Sequence, residues 1–180
     1  NSLDFTSVVL ATTYTTNDAR DRLALLRRFL EDAYFAGAAT PTVERLEEFL
    51  DATNEETETR SVLAHWLGAW AGALSRETFY DKFRSIERDI STFPVLGIIV
   101  PARLPENEMA GLGVWAREHV DPRVLIDLRA DPGAVGGCRL IWRGRERDFS
   151  LSYFVEKHRD ELVAEVGAVF LKAQKATVPK

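Results

Sequence analysis

The chain has 180 residues, 28 acidic against 23 basic, for a net charge of −5, and 46% of it is apolar. That is enough for one ordinary domain or two small ones with a real core. Over residues 1–91 sixteen acidic residues face ten basic ones, which argues against a phosphate-binding surface in that half. Cys138 is the only cysteine, so no internal disulfide can form, and no apolar run approaches the roughly 20 residues of a membrane span. The opening "NSLDFTSVVLATTYTT" has neither the basic flank nor the apolar core of a signal peptide. These features lead us to expect a soluble chain of a reducing compartment.

Residues 3–14 are short and β-branched; they read as a helix, although a strand fits nearly as well. From 18 to 37, Leu23, Leu26, Leu30, Ala33 and Tyr34 recur at helical spacing, with Asn17 or Asp18 available as cap and Gly37 as terminator. "TPTVERLEEFLDAT" predicts a second helix, with Thr40 as N-cap, Pro41 in the first helical position and a stripe of Val43, Leu46, Phe49 and Leu50. Thr53 and Glu56 have the spacing of a capping box. They would open a helix carrying Leu63, Trp66, Leu67, Trp70 and Leu74. After Ser75 the stripe resumes with Phe79, Phe83, Ile86 and Ile90.

The pattern changes at Phe93-Pro94. "VLGIIVPA" (95–102) has the β-branched, apolar character of a buried strand, and "PENEMAGLGVWAREHV" that of a helix. "RVLIDLRAD" alternates, with Val124, Ile126 and Leu128 inward and Arg123, Leu125, Asp127 and Arg129 outward. "CRLIWRGRERDFS" predicts two strand arms around Gly144. Residues 151–175 place Leu151, Phe154, His158, Leu162, Val166, Val169 and Phe170 along one stripe of a long amphipathic helix. Helices first and strands later indicate an α+β chain: a helical bundle over 1–91 and a small α/β domain over 92–180, with a β-hairpin and a long terminal helix.

Little in this sequence carries catalytic chemistry. His65, His119 and His158 lie far apart, without a His or Cys at metal-ligand spacing. Cys138 opens a predicted strand and reads as a small buried hydrophobe. "GLG" (111–113) sits inside a helix and "VGG" precedes a strand, whereas a phosphate loop runs strand, glycines, helix. "EETE" (55–58) is a solvated helix start favoured by the helix dipole. Arg139, Arg143, Arg145 and Arg147 alternate, but Gly144 interrupts them and Trp142 is the only aromatic among them. That is poor material for single-strand nucleic-acid stacking and ordinary material for a charged strand edge. Trp66 and Trp70 fit a packed core or a groove for a partner's amphipathic helix equally well.

The order of pieces from about Phe93 to Leu162 resembles the C-terminal domain of the delta subunit of F-type ATP synthases, called the oligomycin-sensitivity conferring protein in mitochondria. "IIVPARLPENE" matches that family's strand and following helix. "DLRADPGAVGG" carries Asp131-Pro132, then Val135-Gly136-Gly137 where the family has Ile-Gly-Gly. "RDFSLSYFVEKHRDEL" sets Asp148 and Ser150 at the family spacing before the closing helix, with Phe149 in place of a glycine. The N-terminal half agrees in helical character and lacks the family's Ala-Arg-Tyr-Ala opening. The glycine pair suits a bend between strands, and Asp148 or Ser150 suits a cap on the final helix.

The resemblance implies a non-catalytic peripheral-stalk subunit of a proton-translocating ATP synthase, without cofactor or metal and without nucleic acid. Its helical half would hold an N-terminal helix of an alpha subunit of the catalytic head, with Val8, Val9, Trp66 and Trp70 as contacts. Its α/β half would hold the b-subunit stalk through Val163, Val166, Val169 and Phe170. Such a subunit has no membrane span of its own and sits beside an energy-transducing membrane through its complex, on the bacterial cytoplasmic face or the mitochondrial matrix side. Two alternatives stay open: a free-standing helical adaptor outside the synthase, and a small enzyme using Cys138 or the carboxylates of the α/β half.

Overall fold

The structure, a computed structural model, describes residues 5–37 and 41–176, with the side chains of Ala71, Glu106 and 170–176 left out of the description. The elements run α1 (Phe5–Thr12), α2 (Thr16–Phe35), α3 (Val43–Thr53), α4 (Thr57–Trp70), α5 (Phe79–Ser91), β1 (Val95–Val100), α6 (Glu106–His119), β2 (Leu125–Ala130), β3 (Arg139–Trp142), β4 (Arg145–Asp148), α7 (Leu151–Lys157) and α8 (Arg159–Ala176). Helices and a four-stranded mixed sheet make this an α+β chain. Two compact units divide it. The first takes the residues up to Val95 together with Pro105–Asp127; the second takes Leu96–Leu104 and the residues from Leu128 on.

In the first unit the expected stripes supply the core. Leu26, Leu30, Leu46, Leu50, Leu63, Trp66 and Trp70 have no accessible surface, and Leu23, Phe29, Phe79, Phe83 and Ile86 have almost none. Each such side chain is worth roughly 1.5–3 kcal/mol of burial. The helix starts differ from those expected. Thr15, not Asn17 or Asp18, caps α2 by accepting from the Asp18 N–H at 3.0 Å. Thr42, not Thr40, caps α3 by accepting from the Arg45 N–H at 3.4 Å, so that helix begins at Val43 and not at Pro41; Thr40 lies outside the described residues. No capping box forms at Thr53, whose hydroxyl donates back to the Leu50 carbonyl at 3.2 Å. Asn54 takes a left-handed φ of 55° and ends α3, and α4 opens at Thr57. For α2 and α3 a threonine two or three residues before or after the expected cap has the extended backbone that a cap requires.

Helix α6 joins the first unit through one guanidinium. Arg117 donates from Nη1 to the Leu10 carbonyl, from Nη2 to the Thr13 carbonyl and from Nε to the Val124 carbonyl at 3.4 Å, and its Cζ lies 4.6 Å from the centre of the Tyr14 ring. Burial holds its pKa below the usual arginine range, with Tyr14 acting in the opposite direction. Tyr14 also packs on the buried Gly113, where a Cβ would collide with its ring. The Tyr14 carbonyl accepts from the Ile126 N–H at 2.9 Å, and Thr15 bridges Ile126 in parallel. This contact explains a departure from the expected alternation in β2: Leu125 is buried along with Val124 and Ile126, inside the same cluster as the helical leucines.

The sheet runs in the order β2-β1-β3-β4, with β3 antiparallel to both β1 and β4. In the second unit Leu96 and Ile98 are buried and pair with Trp142 and Leu140. On the other face Gly97 faces Ile141, whose Cβ would lie 3.1 Å from any Cβ added there. The two arms around Gly144 form as expected. The last helix does not run unbroken: α7 ends at Lys157, His158 takes a turn conformation and α8 follows.

Replacing Arg117 by Met keeps the apolar stem and leaves three carbonyls without their donor. At about 1–3 kcal/mol for each unmade buried bond, partly relieved by water, we expect a loss of about 2–3 kcal/mol in urea unfolding, with Arg117→Lys recovering only part of it.

Candidate interaction surfaces

The turn between β2 and β3 and the cap of α7 form one locked piece. Asp131 accepts from the Gly133 N–H at 3.0 Å and pairs with Arg139 at 3.0 Å, folding the Asp-Pro-Gly segment back onto β3. Gly136 offers its carbonyl to the Leu151 N–H at 3.0 Å, and Cys138 offers its own to the Phe149 N–H at 2.8 Å. Between them Gly137 has a φ of 76°, and a Cβ there would collide with the Phe149 carbonyl and lie 2.9 Å from the Ser150 Cα. Glycine is required by both conformation and space. Ser150, buried, caps α7 by accepting from the Tyr153 N–H at 3.2 Å, while the Asp148 carboxylate accepts from the Ser150 N–H at 2.7 Å. Hydrogen bonds from Ser150, assisted by Arg139, hold the Asp148 carboxyl below the usual range. Gly136, Gly137, Asp148 and Ser150 thus come together as a backbone device.

His65 is exposed on α4, His119 is stacked on Trp115 at 5.3 Å, and His158 bonds Glu161 at 3.0 Å. Among the described residues no group of His, Cys, Asp and Glu could hold a metal ion. Cys138 is half-buried.

The residues expected to meet the head divide sharply. Val9, Trp66 and Trp70 have no exposed surface, and Val8 is half-buried against the same core. Trp66 stacks on Trp70 at 5.3 Å and donates to the Thr12 hydroxyl at 2.8 Å; Trp70 takes Phe5 edge-on at 5.2 Å. A partner touching this surface would meet neither indole, because both are inside the bundle. What the first unit does present is a groove of about 500 Å³ between α2 and α5, floored by Leu23, Ile90, Val95 and Leu125 and rimmed by Arg20 and Glu87. Sequence reasoning missed it because its floor residues come from four separate segments.

The residues expected to meet the stalk are all in α8. Val163, Val166 and Val169 are 65%, 53% and 66% exposed. Phe170 belongs to the same helix, its side chain lying outside the described residues. Leu151, Tyr153, Phe154 and Val155 of α7 are also about half exposed. From Leu151 to Val169 no side chain is buried. The stripe has the periodicity of a core helix without a core around it among the described residues.

Comparison with known proteins gives no family model that matches the chain and no curated relative that matches its sequence.

Two outcomes test the turn. Gly137→Val should cost at least about 2 kcal/mol, from the left-handed φ and the backbone collision, read as a lower unfolding midpoint. The depressed Asp148 pKa contributes stability that is complete above the unfolded carboxylate pKa of about 3.9 and is lost as pH falls through the lower folded value. Protection of the Tyr153 amide should therefore fall in that acid range in the natural chain and show no such step in Asp148→Asn.

Proposed function

We propose that the chain is a non-catalytic peripheral-stalk subunit of a proton-translocating F-type ATP synthase, tying the alpha subunits of the catalytic head to the b-subunit stalk against rotational torque. The observation that carries this reading is the exposed valine face of α8. A helix 18 residues long that buries none of its described apolar side chains is stabilised chiefly by what covers that face. A partner helix laid along Val163, Val166 and Val169 would bury them by the helix-in-groove mode.

Further support comes from the order strand, helix, strand, hairpin, capped helix, which is the order the resemblance implies for residues 93–162. The locked Gly137–Ser150 turn sets the start of α7 against the hairpin, as a load-bearing linker needs. For the head, the groove floored by Leu23, Ile90, Val95 and Leu125 suits an amphipathic alpha-subunit helix better than the buried tryptophans do. Work of this kind needs docking faces and no titrating catalytic pair. No described helix is long and apolar enough to cross a membrane, so attachment to the energy-transducing membrane would run through the stalk.

The alternative, a free-standing helical adaptor, would use the same faces on other partners. Co-purification at native abundance separates the two, since an adaptor outside the synthase retains neither alpha nor b subunits. On the synthase reading, Val166→Glu should weaken capture of the b-subunit soluble helix at least about tenfold, the equivalent of 1.4 kcal/mol. Its melting temperature should change little, because the position is more than half exposed. Equal capture by the variant would remove α8 from the stalk interface.

A further inference from the structure

The β3–β4 hairpin carries a cationic face with no counter-charge. Cross-strand register pairs Trp142 with Arg145 and Leu140 with Arg147, and paired residues share a sheet face. Arg145 and Arg147 are therefore neighbours on one face, about 6.8 Å apart along the strand. Arg143 adds a third guanidinium 5.1 Å from the centre of the Trp142 ring. Arg139 lies on the opposite face, where it pairs with Asp131 and with Glu146 at 3.5 Å. Asp148, also on that face, is engaged by Ser150. The hairpin thus neutralises one face internally. On the other, among the described residues, Arg143, Arg145 and Arg147 have no carboxylate, although the chain as a whole is acidic.

The turn shows that this arrangement has a cost. Arg143 and Gly144 have φ of 49° and 75°, the doubly positive pair of a two-residue hairpin loop whose favoured sequence is Asn-Gly. A non-glycine residue in the left-handed region costs about 1–2 kcal/mol unless its side chain is Asn or Asp. An arginine kept in that place, beside two more on the adjoining strand, points to use of its charge.

β4 is also the edge of the sheet, so one row of its backbone groups faces outward. Charged edges deter strand pairing with neutral or basic segments; toward an acidic segment the same arginines become a recognition code. We propose that β4 is a docking edge for an acidic, extended segment of a partner protein. The segment adds as a fifth strand, its backbone hydrogen-bonding β4 and its alternate carboxylates meeting Arg145 and Arg147, with Arg143 closing the end. The open edge favours a polypeptide over a nucleic acid, because the outward backbone groups of β4 can pair with the peptide groups of an extended chain, which a sugar-phosphate backbone lacks. The aromatic ring on this face, Trp142, already lies against the Arg143 guanidinium, and a lone ring makes a poor stacking platform.

The test uses the full chain and a short, end-blocked peptide of alternating glutamate and threonine. The peptide should bind in calorimetry, weaken as salt rises, and slow hydrogen exchange at the amides of residues 145–148. The peptide with lysine in place of glutamate should not bind. The double variant Arg145→Thr, Arg147→Thr should lose about tenfold in affinity. Arg143→Asn should bind about threefold more weakly while melting no lower than the natural chain, since Asn-Gly suits the turn better; that separates recognition from folding. Equal affinity in the double variant, binding without protection of residues 145–148, or tighter binding of single-stranded oligouridylate than of the peptide would each overturn the proposal.

Discussion

A desolvated guanidinium holds together pieces of chain that lie far apart in sequence. Among the described residues Arg117 has no carboxylate partner; its charge is met by three carbonyls and an aromatic ring. Carbonyl dipoles can do this only if the backbone that presents them is fixed, so α6, the connection between α1 and α2, and the entry to β2 are ordered as a set. The bare Cα of Gly113 lets Tyr14 sit close enough to cover the cation. Removing any member exposes the others to water or leaves them unbonded, and low-dielectric surroundings make that expensive. The first unit is therefore more than a helical bundle: within it a polar clasp fastens α6 to the bundle.

The second unit rests on a different principle. Its hairpin and turn are short-range structures closed by backbone bonds and by the Asp131, Asp148 and Ser150 side chains, with modest burial. Its two chemically distinctive surfaces, the valine face of α8 and the arginine face of β3–β4, are both turned outward. That outward display of apolar and cationic surface is what the proposed linking role would use.

The helical stripes were legible because period 3.6 is imposed by geometry, and Leu23, Leu26, Leu30, Leu46, Leu50, Leu63 and Phe83 fall where the period puts them. At Leu162, Val166 and Val169 the same pattern gave the helix alone, since periodicity reports that a helix is two-faced and says nothing of what covers the apolar face. Trp66 and Trp70 were ambiguous for the same reason. The caps at Thr15 and Thr42 were displaced because several hydroxyl and amide side chains stand close together there, and backbone conformation selects among them. The role of Arg117 left no local signal: its Leu10 and Thr13 acceptors lie 107 and 104 positions away. The turn was readable at Gly137, where left-handed backbone next to a close neighbour leaves glycine as the only residue that fits; Gly136 carries neither constraint.

The placement of the four indoles has an optical consequence. Trp66 and Trp70 are stacked and sealed in the first unit, and the Trp70 ring nitrogen is buried without a hydrogen-bond partner. Trp115 is nearly half exposed, and Trp142 sits partly open under a guanidinium in the second unit. A dry, unbonded indole emits toward the blue and is shielded from collisional quenchers, whereas a wet one emits toward the red and is quenched readily. The protein therefore carries built-in dyes of two kinds. Loosening of the helical interior and occupation of the hairpin should be distinguishable by colour, without any attached label.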